Sequence, residues 1–144
     1  MTTDAPLFVT ESLPAQRPTL ENLRVGSAVL VLEAAYRRHA GLTSPRPGVV
    51  TKRARVWITV ALLEVRRFPH EYRFRLDDQS DGADSYQTRF RTPEQYAWDQ
   101  VQETAFVYLK EQQIHVSSYT PWRHRLVELA RAVWQLEHPE EVHG

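Results

Sequence analysis

Val49-Val-Thr-Lys-Arg-Ala-Arg-Val56-Trp-Ile-Thr-Val-Ala-Leu-Leu63 is the stretch that decides the fold. Its apolar residues are β-branched or aromatic and come in short runs, the signature of strands rather than of a helix. Val56, Ile58, Val60 and Leu62 share one face of an extended chain, and Trp57, Thr59, Ala61 and Leu63 share the other. Both faces are largely apolar, which places this strand inside a sheet. Lys52-Arg-Ala-Arg55 reads as a charged hairpin turn joining it to a strand at Val49–Thr51.

Working outward, Ala28-Val-Leu-Val-Leu-Glu33 is a further strand, entered through Gly26. Between them, residues 34–48 carry Gly41, Pro45, Pro47 and Gly48, so a long loop is expected there, with Arg37, Arg38, His39 and Arg46 making it basic. Downstream, Glu71-Tyr-Arg-Phe-Arg-Leu76 alternates strictly, and Tyr86-Gln-Thr-Arg-Phe-Arg91 repeats the pattern. Aromatics point one way and Arg73, Arg75, Arg89 and Arg91 the other, so an antiparallel pair is expected, joined by the polar turn Asp77–Ser85. Five short strands without helical connections predict a small barrel or a bent sheet.

Two helices should follow. Thr92-Pro-Glu-Gln95 places a hydroxyl cap, a first-turn proline and a glutamine at the spacing of a capping box. Ala97, Val101, Ala105, Tyr108 and Leu109 then recur at helical spacing to about 112. Thr120-Pro121 opens a second helix to 137, with Trp122, Leu126, Leu129, Val133 and Leu136 as its apolar stripe. Residues 1–19, with Pro6, Pro14 and Pro18 and little periodicity, read as an extended or mobile arm. The organisation expected is an N-terminal arm over 1–19, one α+β domain over 20–138 with its barrel at about 20–91, and a tail from 139 to 144.

A chain of 144 residues suits one domain. It has no cysteine, which excludes disulfides, thiolate catalysis and cysteine-bound zinc. No apolar run is long enough to span a membrane. Met1-Thr-Thr-Asp-Ala-Pro6 lacks a basic start and an apolar segment, so no signal peptide is expected and the cytoplasm is the expected compartment.

The cations are 16 Arg and 2 Lys. Arg suits bidentate contact with phosphate or carboxylate, although a GC-rich genome produces the same bias through its codons. The net charge of zero hides an asymmetry: residues 1–75 hold 12 Lys+Arg and 6 Asp+Glu, residues 76–144 hold 6 and 12. Such halves attract a charged ligand or each other.

The chain carries few signatures of catalytic or metal chemistry. His39, His70, His115, His124, His138 and His143 show no metal-ligand spacing, and His138 and His143 lie in the solvated tail. Asp77, Asp78, Asp81 and Asp84 lack the register of a calcium loop and read as a solvated turn. With 5 glycines the chain offers no phosphate cradle, and no nucleophile elbow occurs. No catalytic residue, metal ligand or cofactor site is assigned, and a non-enzymatic protein is expected; an enzyme with an unrecognised site is the weaker alternative.

One constellation remains. Arg37, Arg38, Lys52, Arg53 and Arg55 sit on two loops, and Arg73, Arg75, Arg89 and Arg91 on the outward face of the expected strand pair. Like charges so placed need an opposing group, either a helix carboxylate (Glu94, Asp99, Glu103) or an external polyanion. Small barrels bind nucleic acid through basic loops and exposed aromatics, for which Tyr36 and Trp57 are candidates. The competing reading puts Trp57 in the core and makes the Arg residues a solvated sheet face. The expectation is an adaptor whose basic barrel surface contacts nucleic acid or a nucleoprotein. The alternative is an accessory factor, phage-encoded and acting on a host protein, with the sheet or the last helix as its interface.

Leu23-Arg-Val-Gly-Ser-Ala-Val29, Gly48-Val-Val-Thr-Lys52 and Arg55-Val-Trp-Ile-Thr-Val60 together resemble the opening of SH3-like and Tudor-like small barrels. Over about residues 20–136 the layout is similar to β-barrel-domain proteins of actinobacteria and their phages, in which a barrel precedes a Thr-Pro-Glu helix and a Leu-rich terminal helix. The resemblance implies no catalytic residues. A Tudor-like barrel would imply an aromatic cage for methylated ligands, and no residues here are assigned to one.

Overall fold

A computed structural model of the chain describes residues 5–12, 14, 16–34, 45–64, 70–84, 87–114 and 123–139. The element order is α1 (Leu7–Thr10), β1 (Ala28–Leu32), β2 (Arg46–Arg53), β3 (Trp57–Leu62), β4 (Glu71–Arg75), β5 (Arg89–Arg91), α2 (Pro93–Glu111) and α3 (Arg123–Glu137). The class is α+β: a five-stranded antiparallel sheet, curled into a half-barrel, followed by C-terminal helices. Among the described residues no helix is long and apolar enough to cross a membrane. Contacts group the chain into two compact units, Thr19–Tyr96 and Met1–Pro18 with Ala97–Gly144.

The sheet unit orders its strands β4-β3-β2-β1-β5. Val29, Val31, Val50, Ile58, Val60, Leu62, Phe74 and Phe90 form its buried face. Each such side chain contributes roughly 1.5–3 kcal/mol through burial, so alternation alone explains why these strands close on one core. β3 lies between β2 and β4, as an apolar pattern on both faces requires.

Two expectations need correction here. β2 starts at Arg46, inside the expected loop, and Pro47 and Gly48 are paired strand residues. Gly48 is there because β3 approaches closely: a Cβ on it would lie 2.7 Å from Val60 Cγ1 and 3.1 Å from the Ala61 carbonyl. The second concerns β4 and β5, which stand at opposite ends of the strand order instead of pairing. Between them Ser80–Asp81 intervenes: the Arg75 amide donates to Ser80 (2.7 Å), and the Asp81 amide donates to Thr88 (3.0 Å). Gln79 turns the chain there with φ 57, and β5 is free to pair with β1.

The capping box forms as read. Thr92 Oγ1 accepts from the Gln95 amide (3.0 Å) and Gln95 Oε1 accepts from the Thr92 amide (3.1 Å). The Gln95 side chain also pairs reciprocally with that of buried Gln79, at 2.8 and 3.0 Å. At the other end of α2, Gln113 is left-handed (φ 62). Ile114 donates to Leu109 (2.8 Å) and Gln113 to Lys110 (2.9 Å), a Schellman closure in which Ile114 also packs on the apolar cluster.

In the helical unit Val101, Ala105 and Leu109 of α2 pack with Leu126, Val127, Ala130 and Trp134 of α3. The expected stripes are displaced. Leu129 and Leu136 are exposed (41% and 82%) because the buried face of α3 follows 126, 130 and 134, and on α2 Trp98 is buried while Ala97 is exposed. His138 is not a free tail residue: it stacks on Trp134 at 4.3 Å. The expected opening of α3 at Thr120-Pro121 lies outside the described residues.

The N-terminal arm is likewise revised. Phe8 of α1 is buried to 1% exposure, Pro14 accepts the Trp98 indole N–H (3.1 Å), and Arg17 pairs with Asp99 (2.8 Å). One buried aromatic, one indole hydrogen bond and one ion pair tie this segment down, none of them marked by local periodicity.

Candidate nucleic-acid interface

The site is built on the outward face of β2, β3 and β4. Val50 pairs with Val60, but Lys52 pairs with Thr59, so Thr51 is an extra residue in β2. In an unbroken register Lys52 would oppose Ile58 and point into the core. The bulge turns it outward instead, opposite Thr59, a common use of such irregularities. Thr59 pairs in turn with Arg73. Lys52, Thr59 and Arg73 thus form one row across three strands, with the backbones of the outer two about 10 Å apart.

The next row is Trp57 opposite Arg75. Trp57 is half-buried, on the outward face and not in the core. The Arg73 guanidinium carbon lies 4.4 Å from its ring centroid and that of Arg75 6.0 Å away. Gly82, at φ +81, borders the same indole: a Cβ there would lie 3.8 Å from Trp57 Cη2.

The two arginines differ in electrostatic state. Arg75 makes a bidentate contact with Asp77, at 3.1 and 2.8 Å. That hydrogen bond, more than any other cause, holds the Asp77 carboxyl below its usual range and raises the Arg75 guanidinium above its own. Arg73 lies over Trp57 and has no carboxylate partner among the described residues, and the same holds for Lys52 and Arg55. Arg53, opposite Ile58, points its guanidinium at the Leu23 carbonyl and so closes the edge of the unit.

The expected set of nine cations is therefore divided. Lys52, Arg55, Arg73 and Arg75 belong to one region, with Arg53 beside it on the other face of β2. Arg89 and Arg91 lie on β5 at the far end of the strand order, where Arg89 bonds Gln87 (3.0 Å) and Arg91 its neighbour's carbonyl, Phe90 (2.7 Å). The four-arginine face expected from a β4–β5 pair does not form. Arg37 and Arg38, with Tyr36, lie outside the described residues. Of the carboxylates considered as counter-charges, Asp99 is committed to Arg17.

One group was missed in the sequence. Arg46 at the start of β2 lies 3.4 Å from Glu33 and 3.3 Å from Glu64, and the Tyr72 hydroxyl donates to Glu33. These residues close one end of the sheet unit and remove Arg46 from the pool of ligand-seeking cations. The available signal was that Glu33 and Glu64 each follow the end of an apolar run.

The curled sheet and the C-terminal helices make this a small α+β protein. Residues 3–138 match the family model of the phage ProQ C-terminal-like domain, and the chain belongs to that family. No curated protein and no solved structure gives a match.

Proposed function

We propose that this is a non-catalytic binding protein of the cytoplasm whose outward β2–β3–β4 face contacts nucleic acid or a nucleoprotein. The observation that carries the reading is the row Lys52–Thr59–Arg73, two cations without carboxylate partners among the described residues, with the Trp57 indole beside it. Cations on one sheet face suit phosphate contacts, which fix position without reading sequence. An aromatic on the same face offers stacking to an unpaired base. Arg55, Arg37 and Arg38 would extend the contact, and the role needs no cofactor.

The test is fluorescence anisotropy with labelled single- and double-stranded DNA and RNA at two salt concentrations. Affinity should fall steeply with salt, and Lys52→Ala with Arg73→Ala should flatten the dependence by about one unit of slope per lost phosphate contact. Absence of binding at low salt sinks the proposal.

A second reading rests on α3. Leu129 and Leu136, exposed at 41% and 82%, lie two turns apart on one side of the helix, while Val133 between them packs on the core. That apolar strip suits a protein partner, as in a phage factor acting on a host protein.

A further inference from the structure

Arg75 stands opposite Trp57 on the outward face, with its guanidinium carbon 6.0 Å from the indole centroid. By position it belongs with Lys52 and Arg73. Its fork, however, is already filled: Nε donates to Asp77 Oδ1 (3.1 Å) and Nη2 to Asp77 Oδ2 (2.8 Å). A planar guanidinium takes a carboxylate and a phosphate through the same two parallel hydrogen bonds. The Asp77 carboxylate therefore occupies the place on Arg75 that a phosphate would take.

The turn after β4 is built to hold that carboxylate there. The Arg75 amide donates to the Ser80 carbonyl (2.7 Å), which ties the base of the arginine to the turn. The Asp78 amide donates to Asp77 Oδ1 (2.7 Å). Asp78 Oδ1 accepts in turn from the amide and the hydroxyl of buried Ser80, at 3.0 and 2.9 Å. The contact with Arg75 also keeps the Asp77 carboxyl below its usual range, so it is charged at neutral pH. Yet both side chains stay open to water, at 43% and 59% exposure. An exposed pair is weak and screened by salt, so the fold loses little without it. Set on the fork of an outward arginine, the contact has its consequence in binding instead.

Building on the nucleic-acid reading of this face, we propose that Asp77 is an internal phosphate mimic that masks Arg75 and so limits the affinity of the face for polyanions. Lys52 and Arg73 make the contact in the wild-type chain, and Arg75 joins them only when the Asp77 charge is removed.

The test measures anisotropy of the labelled single- and double-stranded DNA and RNA probes across a salt series. It compares the full wild-type chain with Asp77→Asn, with Asp84→Asn, and with Asp77→Asn combined with Arg75→Ala. Asparagine keeps an oxygen for the Asp78 amide, so the turn is preserved. Asp84 is exposed and in no ion pair among the described residues, so its substitution removes the same charge without freeing an arginine. Asp77→Asn should tighten binding several-fold at low salt and steepen the salt dependence by about one unit of slope, one added phosphate contact. Asp84→Asn should leave the slope unchanged, and Arg75→Ala should erase the gain of Asp77→Asn. An equal gain in both Asn variants, or a gain that survives Arg75→Ala, reflects overall charge alone and overturns the mask. Wild-type binding that Asp77→Asn leaves unchanged overturns it too, with the face still standing as the interface. If no probe binds either the wild type or Asp77→Asn, the reading of the face falls and the mask falls with it.

Discussion

The sheet unit and the helical unit are built by different routes. The first is one continuous stretch, Thr19–Tyr96, and the second joins Met1–Pro18 to Ala97–Gly144. In the sheet unit a core position is marked by its place in an alternating strand. In the helical unit the decisive contacts cross great lengths of chain: Arg17 to Asp99 spans 82 residues, Pro14 to Trp98 spans 84 and Phe8 to Arg131 spans 123. A pattern with period two is visible in a short window, whereas a partner about a hundred residues away leaves no local mark.

This contrast is open to attack by substitution. Phe74→Ala should cost the most, about 3–5 kcal/mol, because the ring is fully buried and tilts against Phe90 at 5.2 Å. Urea denaturation measures it, and a loss no greater than that of Phe8→Ala would break the comparison. Gln95→Ala comes next, at about 2–3 kcal/mol, since it removes the side-chain half of the capping box and leaves the buried Gln79 side chain only its bond to the Phe90 carbonyl. Gln95→Glu should leave the cap acceptor in place while still disturbing the Gln79 pair, which separates the two contributions. Phe8→Ala should cost about 2 kcal/mol, the worth of one buried aromatic, because the segment can undock without opening the helices. Hydrogen exchange should show protection lost at residues 8–11 and kept in α2. The smallest effect belongs to Asp99→Asn, below about 1 kcal/mol, because the pair with Arg17 is about one-third exposed on each side and salt screens it. Repeating the measurement in high salt should erase the difference.

The legible part of the fold was what short-range periodicity and turn chemistry encode. The inward set Ile58, Val60, Phe74 and Phe90 and the Thr92–Gln95 box fall in this class. Pairing was less legible. Glu71–Arg75 and Arg89–Arg91 look like partners because both alternate aromatic with arginine, yet alternation says that a strand is half-buried and not which strand lies beside it. Gly48 reads as a loop breaker until the close approach of Val60 shows why a strand needs it. The stripe of α3 was displaced because Leu129 and Leu136 satisfy helical spacing as well as Ala130 and Trp134 do, and only the packed partner selects between them.

The candidate site was legible in its residue types and not in its arrangement. Lys52 and Trp57 were named from the sequence, but the bulge at Thr51 that brings Lys52 into line with Thr59 and Arg73 has no sequence signature. The separation of Arg73 from Arg75 by the Asp77 contact depends equally on the turn that follows β4.

The central claim is that ligand binding belongs to the outward face of the sheet unit. Its most direct test compares the salt dependence of nucleic-acid binding for wild type, for Lys52→Ala with Arg73→Ala, and for Lys110→Ala, a cation exposed on the helical unit. The account expects the sheet double variant to lose affinity and salt slope, and Lys110→Ala to match wild type. Equal losses in both variants, or unchanged binding in the sheet variant, would contradict it.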